Sequence, residues 1–366
     1  MAHANSANSD ADTPSVISGC QNYGKIWIHD LTQPVASSHP YYRYTYIGGI
    51  IGIAAGLEVT NCQNYGEIAL DNVNREVGTF YIGGIASYGT NRVEANISNQ
   101  FCHIHDCQNY GDFNVGQDPT KPVVCHTMAL SGLVGRTQWV NISNLENHGN
   151  FKVKAVQSDP FKGGAGSQIF SKTWEAQISG TTNSIDYFCV AGILSFLQCN
   201  VAVGCENNLL VNYGDIYAEI DSYAGSSMTP ADNVGICVAG VMGLHGANAY
   251  NPHFNSCSNM GSITLKSNFA PVECYVGGVS GKMASNRYTA DYVFTLNGSS
   301  NVGNVSFITD NPETVVAHVG GVCGSVIYGE MVADINGGAV VNQSTNENST
   351  VGAILGTRHP TSIGAA

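Results

Sequence analysis

The chain has 366 residues, 43 of them glycine, with only 11% charged residues and a formal net charge of −13. That balance is poor in helix formers and carries no basic stripe to displace counterions from phosphate, so helical bundles and nucleic-acid partners are both disfavoured. No apolar run approaches the roughly 20 residues of a membrane-spanning helix, so no membrane span is expected.

Residues 1–14 form a polar N-terminal segment without the apolar stretch of a signal peptide. A secreted protein of this sequence is expected to have had its export signal removed or to carry it outside this chain. From residue 15 to 356 two short patterns alternate. The first is Cys-Gln-Asn-Tyr-Gly, at Cys20–Gly24, Cys62–Gly66 and Cys107–Gly111. Looser copies follow at Asn147-His148-Gly149, Asn212-Tyr213-Gly214, Asn259-Met260-Gly261 and Asn301-Val302-Gly303, with a worn one at Asn336-Gly337-Gly338. The second is an apolar pair, a small residue, Gly, an apolar residue and usually another Gly two residues on. It centres on Gly49, Gly84, Gly132, Gly192, Gly240, Gly278 and Gly321, and closes with Val351–Gly356. Residues 357–366 remain as a C-terminal tail.

Gly24, Gly66, Gly111 and Gly149 are 42, 45 and 38 residues apart. A constant core with variable spacing describes one unit copied, with loops of different length inserted. Each unit offers three short strands: one before the Cys (Leu57-Glu58-Val59-Thr60), one after the turn (Ile68-Ala69-Leu70) and one carrying the glycine pattern. The expected fold is all-β, a single parallel β-helix (β-solenoid) of about eight coils. A β-propeller, which needs about four strands per repeat, ranks second.

Stacking explains the repeated residues. Asn22, Asn64, Asn109, Asn147, Asn212, Asn259 and Asn301 are expected to form an amide ladder, and the glycine two residues later to supply a positive φ. Ile26, Ile68, Phe113, Phe151, Ile216, Ile263 and Val305 should line the interior. Cys20, Cys62, Cys107, Cys205 and Cys257 are read as one column, a small apolar site that the fourth copy fills with Leu145. Stacked coils also bring cysteine α-carbons within disulfide range.

The Gly-apolar-any-Gly core, most literally Gly132-Leu133-Val134-Gly135, resembles the GLUG motif of bacterial surface and secreted proteins. With the Asn-x-Gly turn it looks like the long repetitive surface proteins of Bacteroidales-type bacteria. The resemblance spans roughly Ser15 to Gly356 and carries over no catalytic residue. At Gly192 it departs, with Ser195 in place of the last Gly.

The cluster Cys102-His103-Ile104-His105-Asp106-Cys107 has the residue types of a metal clip. Aligned with Leu57–Cys62 it becomes a strand, with Cys102 and Ile104 inward and the two histidines outward, so no metal site and no cofactor are expected. Gly163-Gly164-Ala165-Gly166 lacks the Lys and Ser of a phosphate loop and reads as a loop. Asp186, Asp215 and Glu219 are candidates for the paired carboxylates of a polysaccharide-degrading β-helix enzyme. The insertion before Tyr46 presents Tyr41, Tyr42 and Tyr44 as candidate ligand-binding residues, since tyrosine gives rigid amphipathic contact area.

The expected function is a non-enzymatic, extracellular or cell-surface adhesin or structural fibre protein. Its β-solenoid serves as stalk or platform for glycans or other surface proteins, and it self-associates end to end into filaments. A polysaccharide lyase or hydrolase, and a phage tail-spike, are the alternatives.

Overall fold

The computed structural model describes residues 3–5, 15–32, 43–90, 102–138, 140–158, 186–198, 206–222, 234–246, 253–270, 272–284, 294–327 and 329–358. Among them all regular structure is strand, and successive coils pair in parallel and in register. The chain is a parallel β-solenoid of eight stacked coils, as expected.

Each coil is built from four strand segments rather than three. A pre-turn ladder includes Leu57–Thr60, Cys102–Asn109 and Val140–Asn147. A post-turn ladder includes Phe113–Val115, Phe151–Gln157 and Ile216–Ser222. The glycine pattern, read above as one strand, breaks at its Gly pair into two. Val123–Ser131 and Asp186–Ala191 lie before it, and Val134–Gln138 and Leu194–Gln198 after it. The long strand Ile68–Gly83 runs through both the post-turn and the pre-glycine ladders, which therefore share one of the three sheets. The segment 1–14 is not wholly outside the solenoid, because His3–Asn5 pairs with Ile53–Ala55. Nor is the tail, since the last strand runs Leu355–Arg358.

The asparagine ladder is continuous through eight coils, Asn336 included. Each Nδ2 donates to the Oδ1 of the next coil's Asn, at 2.7 Å for Asn22 to Asn64 and for Asn64 to Asn109, and 2.8 Å for Asn109 to Asn147. The ladder continues at 2.7 Å to Asn212, 2.8 Å to Asn259, then 2.7 Å to Asn301 and to Asn336. The second Nδ2 hydrogen goes to the carbonyl of the coil's own glycine, as from Asn109 to Gly111 at 2.8 Å. Both donors of the amides from Asn22 to Asn301 are thus used, which is what a buried amide requires.

The turn glycine serves close approach, not positive φ as expected. A Cβ on Gly111 would stand 2.0 Å from the Gly66 carbonyl of the previous coil. Positive φ falls instead just before the Cys column, at Gly19, Asn61, Asp106, Asn144, Leu209, Ser256, Gly298 and Ala333, with φ between 50° and 66°. The chain bends there from the pre-turn strand into the Asn turn.

On the far side of the coil, the Gly pair closes against the same asparagines. A Cβ on Gly132 would lie 2.1 Å from the Gly192 carbonyl and 2.5 Å from the Asn147 amide oxygen. Gly49, Gly84, Gly192, Gly240, Gly278 and Gly321 repeat this contact. The two turns therefore meet across the interior and divide it into two apolar cores. One lies between the post-turn and pre-glycine strands and holds Ile68, Phe80, Phe113, Phe151, Ile216, Ile263 and Val305. The other lies between the post-glycine and pre-turn strands, with Ile51, Val59, Ile85, Ile104, Leu133 and Leu210.

The Cys column also needs correction. Leu145 pairs with Leu210, so the fifth coil fills the column with Leu210 rather than Cys205, which lies outside the described residues. Ser299 and Asp334 continue it, since they precede the paired Ser300 and Ile335 as Cys257 precedes Ser258. Burial pushes the Asp334 carboxyl up to about 6, against an opposing hydrogen bond from the Ser299 amide.

Two stability effects follow. Asn109→Ala leaves the Asn64 Nδ2 donor and the Asn147 Oδ1 acceptor unpaired in a buried site, so it is expected to lower the unfolding free energy by about 1–3 kcal/mol in urea titration. A neutral result would mean the side chain serves only the turn. Leu209 holds φ 56° with an exposed side chain. Leu209→Asn should therefore raise stability by about 1 kcal/mol, read as a higher denaturation midpoint at unchanged slope.

Candidate functional site

The middle residue of each Asn-x-Gly turn points outward, and the rise of one coil brings successive copies to ring-stacking distance. Tyr23, Tyr65, Tyr110, His148 and Tyr213 form one stacked column. Their centroids are 4.8, 4.9, 4.7 and 4.6 Å apart and neighbouring planes lie within 9° of parallel. Met260 and Val302 carry the column on through the sixth and seventh coils, and both are exposed, as are the four tyrosines.

A second column locks the rings. Gln21 donates to Gln63 and Gln63 to Gln108, both at 2.8 Å, and Gln108 to Glu146 at 2.9 Å. The phenols of Tyr23, Tyr65 and Tyr110 each donate to the glutamine of their own coil at 3.0–3.1 Å, and His148 Nε2 pairs with Glu146 at 3.1 Å. The stripe is therefore preorganised. It presents ring edges, which carry the positive side of the quadrupole, and the spare amide hydrogens of the glutamines. An exposed apolar and aromatic stripe of this length is a mark of an interaction surface.

The predicted binding tyrosines fare differently. Tyr41 and Tyr42 lie outside the described residues. Tyr44, expected as a free loop residue, belongs to the strand Arg43–Gly48 and pairs with Thr79. Its ring lies 6.0 Å from Tyr46 and 5.7 Å from Tyr81. It joins a third apolar cluster on the outer side of the Gly-pair bend, with Tyr81, Ala129, Cys189, Phe196, Cys237, Leu244 and Tyr275. The buried Arg136 guanidinium is 5.1 Å from the Tyr81 ring, 5.3 Å from Tyr88 and 5.4 Å from Phe196. Further along, buried Lys282 donates to the Tyr275 hydroxyl at 2.9 Å and sits 4.2 Å from its ring centroid. Tyr275 in turn donates to Glu273, which His318 approaches at 3.7 Å. The neighbouring His318 imidazole, with Tyr275 and Lys282 adding, holds Glu273 down at about 2 despite burial. This crease is filled with its own side chains and acts as packing.

The suspected metal clip is a strand. Cys102, Ile104 and Cys107 are buried, and His103 and His105 pair with Glu58 and Thr60 in register. Among the described residues no group of three or more His, Cys, Asp or Glu is placed to hold a metal ion. His105 instead bridges two carboxylates, Glu58 at 3.0 Å and Asp106 at 2.7 Å.

The candidate catalytic carboxylates do not converge. Asp215 Oδ1 accepts the Ser262 amide at 2.7 Å, and Glu219 pairs with Lys154 at 3.1 Å. They stand four positions apart, roughly 13 Å of extended chain, beyond the spacing of a glycosidase pair. Asp186 opens a strand of the other arm.

The exposed ring column was missed in the sequence, although its signal was there, since Tyr23, Tyr65, Tyr110 and Tyr213 stand in the repeated Asn-x-Gly motif itself. Comparison with family models, curated proteins and solved structures gives no match. The fold and its outer faces define the class, a parallel β-solenoid with a periodic aromatic face.

Burial alone would lower the His105 pKa, but its bonds to Asp106 and Glu58 outweigh that and hold it above the ordinary imidazole value. A raised folded pKa contributes stability that is full below the unfolded value, about 6.5, and is lost as pH rises through the folded pKa. The wild type should therefore lose stability from about pH 6.5 upward, and His105→Gln should flatten that slope. Burial lowers the pKa of His103, whose effect lies on the acid side of the same value, so the two are separable in a melting series. Identical slopes for both proteins above pH 6.5 would rule out the bridge.

Proposed function

We propose that the chain is a structural or adhesive protein of the cell surface or of a fibre, with its solenoid as stalk and as binding platform. The observation that carries this is the exposed ring column beside its glutamine column, with one ring in each of the first five coils. A rigid, repeating stripe one residue wide suits a linear partner, a glycan chain or an extended segment of another surface protein, and costs little ordering on binding. The Gly-apolar-x-Gly resemblance to repetitive bacterial surface proteins supports an extracellular setting. End-to-end self-association belongs to the same reading.

The test is a glycan array together with pull-down of surface proteins, using the wild type and the Tyr65→Ala/Tyr110→Ala double variant. Loss of the bound partner by tenfold or more, about 1.4 kcal/mol, with an unchanged far-ultraviolet spectrum is the expected result. A partner held equally by both proteins would move the binding site off this face.

A further inference from the structure

Three cysteines of the inner column, Cys20, Cys62 and Cys107, occupy consecutive coils. Cys20 and Cys62 each precede the paired glutamines Gln21 and Gln63, and the Gln63 amide donates to the Cys20 carbonyl at 2.9 Å. Their α-carbons are therefore one coil apart, about 4.8 Å, inside the window a disulfide tolerates. Cys20 is exposed, whereas Cys62 and Cys107 are fully buried. The Cys62 sulfur donates to the Thr60 carbonyl at 3.3 Å.

We propose that Cys20 and Cys62 form an oxidant-entry site, at which a small-molecule disulfide is reduced and the first coil is cross-linked to the second. The Cys20 thiolate attacks one sulfur of the small disulfide, forming a mixed disulfide and releasing the first small thiol. The Cys62 thiolate then attacks the Cys20 sulfur, forming the inter-coil disulfide and releasing the second. The two protein thiols give up two electrons and two protons, and the small disulfide takes them up as two thiols.

The arrangement suits each step. The exposed sulfur receives the reagent, and the buried one is already aligned on it. Hydrogen bonding from the Cys107 thiol, opposed by burial and reinforced by Cys20 and Gly19, holds the Cys62 thiol below its ordinary value, which favours its attack on the Cys20 sulfur. Burial and the neighbouring Cys62 raise the Cys20 thiol, which makes reagent entry the slow step.

Two other pairs lack these properties. Cys189 and Cys237 are in register but both fully buried, with no exposed member to receive the oxidant. Cys62 and Cys107 are buried as well, and their coils are held from both sides.

The experiment incubates the folded full chain with glutathione disulfide and maps the products by non-reducing peptide mass spectrometry. The wild type should yield a Cys20–Cys62 cross-link with no retained glutathione, and a melting temperature that falls again on adding reductant. Cys62→Ser should stop at the mixed disulfide and accumulate glutathione on Cys20. Serine is compatible with the column, which holds Ser299 in the seventh coil. Cys20→Ser should leave Cys62 unmodified. Glutathione retained on Cys20 in the wild type, a cross-link between any other pair, or an unmodified Cys20 would each overturn the proposal. The wild-type map decides the matter even if a variant fails to fold.

Discussion

The close approach of the asparagine amides to the Gly-pair backbone sets the shape of every coil. An Asn side chain reaches across the interior from one turn, and the opposite turn comes to meet it because no Cβ stands in the way. Asn147 at Gly132 is representative, with the missing Cβ position 2.5 Å from the amide oxygen. The amide can be buried there only because both of its donors are used, one along the solenoid and one within the coil. A ladder of this kind is all or nothing, since one missing member strands a donor on one side and an acceptor on the other.

The pinched cross-section has consequences outside as well as inside. Each of the two cores is lined by only two strands per coil, so single residues such as Phe113 or Leu210 fill a whole layer, and stacked rings like Phe113 and Phe151, 4.5 Å apart, follow directly. Outside, the Gly-pair bend leaves a crease that the chain fills with Arg136, Lys282 and their tyrosines. The opposite turn projects its middle residue into solvent, where parallel in-register stacking converts a repeated tyrosine into a continuous column. One geometric rule, identical residues one coil rise apart, thus yields the buried amide ladder, the exposed ring ladder and the thiol column.

Legibility differed sharply between these features. The coils, the amide ladder and the inward-facing residues after each turn could be read from the repeats, because stacking demands the same residue at the same place. The Cys column could be read only where the copies are close. In the fifth coil Cys205 resembles the motif, yet the register selects Leu210, since the hydrogen-bonded Asn212 fixes which residue stands two places before it. The long insertion before Tyr44 suggests a loop, but pairing with Thr79 draws it into the strand and its ring onto Tyr81.

By itself the sequence determined the period, the parallel stacking and the identity of the buried amides, because each is a local choice repeated eight times. Only the tertiary structure decided that the glycine pattern bends into two strands, that positive φ falls before the Cys column, and that the interior splits in two. Those outcomes depend on how closely two turns approach from opposite sides of a coil. That distance is set by the Gly-pair backbone and the asparagine amide, partners such as Gly132 and Asn147 that belong to two different short motifs, and neither motif contains both.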